Sequence, residues 1–240
     1  MDRTAALELR ALIGDELRPG GLTLTERALT LCRFPDEARI ADVGCGWGGT
    51  LRYLRDRCGC RAMGVDISAE PLSEDPGLPV ACATALELPI QSGSLDGIFC
   101  ECVLSLLSSS EKALSEFHRV LRPGGRLVLS DIYLRQPMER PSLSGSTPLS
   151  CLDGAVGMDR RMNQVKESGL EILLWEDHSR LLVELTARIV WKRGSFSSFF
   201  GNLLPLSCSL GGCFDVRRTR PGYYLLLARK NERKAHGPES

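Results

Sequence analysis

Asp42-Val43-Gly44-Cys45-Gly46-Trp47-Gly48-Gly49 places four glycines within six positions, directly after a short apolar run. Glycine lets the chain turn tightly and lets a ligand approach the backbone where any Cβ would clash. If a helix resumes at Thr50, its first free N–H groups point at whatever sits on the turn. Asp66 closes the next apolar run, 22 positions after Gly44, where a carboxylate can accept both hydroxyls of a ribose. Gly44, Gly46 and Gly49 alone also satisfy G-x-G-x-x-G, so a nicotinamide dinucleotide is a rival ligand. Asp42 separates the two: a second carboxylate beside the loop repels a pyrophosphate and suits a zwitterionic ligand that carries an amine.

The elements around these residues alternate. Helical spacing runs over 5–17 and 23–32, with Pro19-Gly20-Gly21 between them. Ala38 to Val43 reads as a buried strand, Thr50 to Asp56 as a helix and Ala62 to Val65 as a second strand. Residues 79–83 give a third strand and 97–100 begin a fourth. Residues 110–121 are an amphipathic helix with Ser110 as N-cap and Glu111 in the first turn. Pro123-Gly124-Gly125 should end it, before a fifth strand at 126–130. The sequence beyond reads as helix (158–168), strand (170–175), helix (179–192) and a last strand at 222–229. Strands alternating with helices imply a parallel, doubly wound α/β sheet. The Pro- and Ser-rich stretch 136–150 and the irregular 194–221 read as loops, and 231–240 as a disordered tail.

Composition sets bounds on partners. Thirty basic residues balance thirty acidic ones among 240, for a formal net charge of zero. No excess positive field exists to capture polyanions, so nucleic acid is not expected as a partner despite the basic runs 217–220 and 229–234. No stretch approaches the roughly 20 apolar residues of a membrane span, and Met1-Asp2-Arg3 opens no apolar signal segment. A cytoplasmic protein with free thiols is the expectation. Ten cysteines occur without any C-x-x-C pair, against a zinc ribbon or a thioredoxin-type site. Cys32, Cys45, Cys82, Cys100 and Cys102 lie in or beside apolar runs, whereas Cys58, Cys60, Cys151, Cys208 and Cys213 sit among Gly, Ser and charges.

As an ordered set, the motifs resemble class I S-adenosylmethionine-dependent methyltransferases. The family's D-x-G-x-G-x-G loop matches 42–48, its acidic strand-two end matches Asp66, and R-V-L-x-P-G-G matches 119–125. The resemblance is clear over about residues 20–135 and implies a three-layer, Rossmann-like α/β fold: a seven-stranded sheet with helices on both faces. It makes 1–230 one methyltransferase domain, with N-terminal helices in 1–36 and substrate-side loops or a lid in 136–160 and 194–221. It implies S-adenosyl-L-methionine as cofactor. The backbone from Gly44 through Cys45 and Gly46 to Gly48 would hold its methionine part, with Asp42 near the ammonium. Asp66 would take the ribose and Ile67 pack on the adenine. Where the family often carries Asp-Ala, this chain has Thr84-Ala85, leaving a hydroxyl and backbone contacts for the adenine. Glu101 and Cys102 would face the sulfonium and the acceptor.

The acceptor implied is a small molecule, and its identity is not readable. His178, within Trp175-Glu176-Asp177-His178, is a candidate base at the cofactor-facing end, whereas His118 reads as a surface residue. Cys151-Leu152-Asp153-Gly154-Ala155 resembles the Cys-x-x-Gly-Ala segment of arsenite methyltransferases. That resemblance makes Cys151, with Cys58, Cys60, Cys208 and Cys213, candidate thiolates for a soft metalloid substrate. The remaining alternative is a module that binds the cofactor without turnover.

Overall fold

The computed structural model describes residues 10–11, 18–68, 77–136, 148, 150–193 and 216–232. The first helix, α1 (Thr23–Cys32), buries Leu24, Thr25, Ala28 and Cys32, an i, i+4, i+8 stripe that must face the core. It stops where Arg33 turns left-handed at φ 47°, one residue ahead of Phe34-Pro35. β1 (Arg39–Val43), α2 (Gly49–Asp56), β2 (Arg61–Asp66) and β3 (Val80–Cys82) follow. Next come β4 (Leu95–Glu101), a 3-10 turn (Leu104–Leu106), α3 (Ser110–Val120) and β5 (Leu121–Leu134). The remaining elements are α4 (Met158–Glu167), β6 (Leu170–Asp177), α5 (Ser179–Arg193), the short α6 (Val216–Thr219) and β7 (Pro221–Lys230).

The seven strands form one sheet in the order β3-β2-β1-β4-β5-β7-β6. The first five pair in parallel. β7, however, runs antiparallel to both β5 and β6, so the expected all-parallel sheet is corrected to a mixed one. Composition explains the insertion. Tyr223 to Ala228 are all buried, and a strand apolar on both faces needs neighbours on both sides and layers above and below. β6 has mixed burial, as suits an edge.

Two smaller expectations also change. The cap of α3 is Ser109, whose Oγ accepts from Lys112 N at 3.2 Å, rather than Ser110. Pro123-Gly124-Gly125 lies within β5, which begins at Leu121 opposite Leu95 and shifts register before Arg126 meets Gly97. Gly124 takes φ 79°, and a Cβ on Gly125 would sit 2.9 Å from Arg122 O and 3.0 Å from Leu95 O. The glycine pair therefore makes a bulge that lets the strand continue.

Two apolar layers fix the sheet. Leu24, Ala28, Leu51 and Leu54 of α1 and α2 pack on Ile40, Phe99, Val128 and Leu225. On the other face, Leu114 and Phe117 of α3 and Val165 of α4 pack on Ile98, Leu127, Leu129 and Leu226. At about 1.5–3 kcal/mol per fully buried large apolar side chain, these layers hold the C-terminal ends of β1, β2, β4 and β5 as a rigid rim. Among the described residues, no helix is long and apolar enough to cross a membrane.

Candidate functional site

The turn after β1 is built to stay open. Gly44 N and Cys45 N both donate to Val65 O, at 2.7 and 3.2 Å, which ties the loop to the end of β2. Gly44 has φ 77°, and a Cβ there would run into the Val103 side chain. Gly46 has φ 49°, and a Cβ there would meet nothing within 4 Å, so its free face is a cradle. Gly48 caps α2 in the left-handed conformation. Cys45 is buried, and its Sγ would lie 2.6 Å from a Cβ on Gly64; it is a packing residue whose backbone belongs to the loop.

Asp66 holds the loop from the neighbouring strand. Its Oδ2 accepts Gly46 N at 2.8 Å and its Oδ1 accepts Ser68 N at 2.9 Å. Each carboxylate oxygen retains a second lone pair. Ile67, next to it, is 77% exposed, a bare apolar face beside the cradle. Thr84 Oγ1 accepts from Leu86 N at 3.2 Å, and Ala85 is buried. β2 and β3 are neighbours with Asp66 opposite Cys82, so Asp66, Ile67, Thr84 and Ala85 share the rim that bears the glycine turn.

Behind the turn lies a buried charged network. Asp42 is 3% exposed; burial and then the nearby Glu101 push its carboxyl up to about 8, against Arg18 and a hydrogen bond from the Leu51 backbone. Asp42 Oδ2 has no partner. Glu101 is fully engaged: it accepts Thr25 Oγ1 at 3.0 and 3.3 Å and Thr50 Oγ1 at 2.9 Å, and pairs with Arg18 at 3.0 Å. Arg18 also donates to Thr25 and Thr50, both at 2.8 Å. Burial pulls the Arg18 guanidinium down, but Glu101 together with Tyr223, Asp42 and Cys102 outweighs it and leaves it above its ordinary value. Glu101 thus clamps the segment before α1 to the head of α2. Arg18 has no sequence signal: it is a single Arg before Pro19, and its partners come from three distant elements.

The thiols are quiet. Cys102, at φ 57°, has its Sγ 3.1 Å from Tyr223 Oη, which donates to Ser130 Oγ at 3.1 Å. Burial and Asp131 hold Cys102 well above the usual thiol range and push Cys151 up to about 12. Neither forms a thiolate at neutral pH. Cys58 and Cys60 precede β2, whereas Cys102 and Cys151 lie beyond the opposite strand ends, roughly 20 Å away at 3.3 Å per residue over six residues. Among the described residues, no three His, Cys, Asp or Glu side chains are grouped to hold a metal. Cys208 and Cys213 lie outside the described residues, as do residues 195–200. Among the described candidate thiols, the sheet separates Cys58 and Cys60 from Cys151, which lends the metalloid reading no support.

His178 stands at the rim end of β6, three strands from β4 in the order β4-β5-β7-β6, roughly 14 Å across at 4.8 Å per strand. Its Nε2 is 2.9 Å from Glu176 Oε2, and Glu176 pairs with Arg27 of α1 at 2.8 Å. It bridges helix and sheet edge away from the glycine turn. His118 is half-buried, with its ring against Gly169.

Parts of the chain are similar to known proteins. Residues 41–129 match the family model described as "Methyltransferase domain". Methyltransferase GfsG of Streptomyces halstedii is 27% identical over 178 residues, covering 69% of this chain and 64% of that protein. The S-adenosyl-L-methionine-dependent Diels-Alderase iccD of Talaromyces variabilis is 33% identical over 128 residues, covering 48% and 44%. Among solved structures, phosphoethanolamine N-methyltransferase 2 of Haemonchus contortus, in complex with S-adenosyl-L-methionine, superposes at TM-score 0.70 with 18% identity. That match covers 95% of this chain and 57% of the other. The chain spans about half the length of the curated relatives it matches. The fold is that of the class I methyltransferases.

Proposed function

We propose that this chain, whose residues 41–129 carry the methyltransferase domain, moves the methyl group of S-adenosyl-L-methionine to a small-molecule acceptor. The carrying observation is the open glycine cradle with two carboxylates of unlike environment behind it. The residues present fit the cofactor. Asp42 Oδ2 is buried without a partner, as a carboxylate awaiting an ammonium would be. Gly46 leaves its face free for the methionine part. Asp66 has lone pairs left for the ribose hydroxyls, and Ile67 offers an exposed apolar face to the adenine. Thr84 and Ala85 close the adenine end.

The cofactor, when bound, supplies an electrophilic methyl group on a sulfonium, which an acceptor lone pair displaces in line as the C–S electron pair returns to sulfur. The protein's part is alignment in a dry pocket. Glu101 serves as a positioning residue, holding Arg18, Thr25 and Thr50 so that the turn and the head of α2 keep their geometry. Cys102 and Cys151 remain neutral thiols lining the apolar side. We place the protein in the cytoplasm, where buried free thiols persist.

The test is S-adenosylhomocysteine release from the labelled cofactor in the presence of small organic acceptors. Turnover above the acceptor-free rate supports the reading, whereas saturable cofactor binding without turnover by any acceptor removes it. That second result would favour an architecture that uses the bound cofactor without spending its methyl, a reading suggested by a relative named as a Diels-Alderase.

A further inference from the structure

On the face of the sheet away from α1 and α2, α4 carries a charge into the core. Arg161 is 0% exposed. Its Nη1 donates to Gln164 Oε1 at 2.8 Å, and Gln164 Nε2 donates to Glu111 Oε1 at 2.7 Å. Arg161 Nε and Nη2 have no partner, and the guanidinium makes no ion pair among the described residues. Those two N–H groups lie on one edge of the guanidinium and point the same way, the edge that takes a carboxylate or phosphate in a two-bond pair. A buried cationic edge left bare is strongly unfavourable, so a partner is expected there.

Asp131, whose carboxyl feels the Arg161 charge, is bonded elsewhere and not to that edge. Asp131 Oδ1 accepts Ser105 Oγ and Ile132 N, both at 2.7 Å, and Oδ2 accepts Ser105 N at 2.8 Å. Asp131 stands directly opposite Tyr224 in the β5–β7 ladder, so the two side chains share a face. Tyr224 Oη is also buried without a partner. The Arg161 charge bears on both Asp131 and Tyr224. Arg161 Nε and Nη2 and Tyr224 Oη are thus three buried donors without partners on the same face of the sheet, where Tyr224 packs in one cluster with Val165 of α4. The level is the rim, because Asp131 follows Ser130, which pairs with Glu101 at the end of β4.

We propose that Arg161 and Tyr224 form an oxyanion-binding site that takes the carboxylate or phosphate group of the methyl acceptor. The assignment of that anion to an acceptor rests on the methyl-transfer reading; the site itself does not. The test uses the full chain with inorganic phosphate and acetate as probes. Thermal unfolding midpoints are followed in sodium phosphate or sodium acetate against sodium chloride at matched ionic strength.

The wild type should show a saturable rise, weakened about tenfold in apparent affinity by Tyr224→Phe and abolished by Arg161→Met. If Arg161→Met does not fold, Tyr224→Phe removes one oxygen from an otherwise unchanged ring and carries the test alone. No saturable rise in the wild type, or an equal rise in Tyr224→Phe, overturns the site. Methyl transfer is then compared across acid–amide and phosphate ester–alcohol pairs. Preference for the charged member assigns the site to the acceptor, and saturation by free anions without such preference overturns that assignment. S-adenosylmethionine titration runs in parallel. Absence of cofactor binding defeats the methyl-transfer reading and leaves the anion response to be judged separately.

Discussion

At the scale of single residues, the two carboxylates of the cradle divide the work through their surroundings. Asp66 is held by two backbone N–H groups and keeps lone pairs free, so Asp66→Ala should weaken S-adenosylmethionine binding at least about tenfold in calorimetry, losing hydrogen bonds to ribose as well as the Gly46 tether. Asp42 is different, because burial and Glu101 raise it to about 8. A raised carboxyl favours the protonated form in the folded chain. Its stabilisation is complete below the unfolded carboxylate range and is lost as pH rises toward 8. An ammonium placed against Oδ2 reverses the preference. Cofactor binding at pH 7 should then release close to one proton, measured as a heat that varies with the ionisation enthalpy of the buffer; at about pH 9 the carboxyl is already ionised and the free α-amine takes up a proton instead, reversing the sign. Asp42→Asn should abolish that buffer dependence.

At the scale of elements, the glycines of one turn do separate jobs. Gly44→Ala drives a Cβ into Val103 at a left-handed φ. It should lower stability by about 2–4 kcal/mol in denaturant unfolding, combining backbone strain with overpacking. Gly46→Ala meets nothing, so it should cost about 1 kcal/mol of strain while reducing cofactor affinity more than stability. Most elements were legible because each carries local punctuation: β1 ends in the glycine run, α1 ends ahead of Pro35, and β2 ends at Asp66. What escaped were features set by distant partners. The antiparallel seat of β7 depends on which neighbours its apolar run finds, and the β5 bulge on where Leu95 sits. The Arg18–Glu101 clamp and the Arg161 edge join residues with no shared sequence pattern. The parting of the described cysteines has the same cause, since Cys58 and Cys60 precede β2 whereas Cys151 lies beyond the far ends of the strands.

At the scale of the whole molecule, a three-layer sheet gathers the glycine turn, Asp66 and the buried charges on one rim, and the segment before α1 is locked across it by Arg18. Removing that guanidinium leaves Glu101 buried beside Asp42 without its counter-charge, so Arg18→Ala should destabilise the fold by about 3–5 kcal/mol in denaturant unfolding. Thr25 and Thr50 would remain as the only hydrogen-bond partners of Glu101 among the described residues. The most direct check of the central claim is isothermal titration of the wild-type chain with S-adenosyl-L-methionine, and in parallel with a nicotinamide dinucleotide. The cradle should bind one S-adenosylmethionine per chain, saturably, and ignore the dinucleotide. No saturable heat with S-adenosylmethionine, or tighter binding of the dinucleotide, would contradict the account.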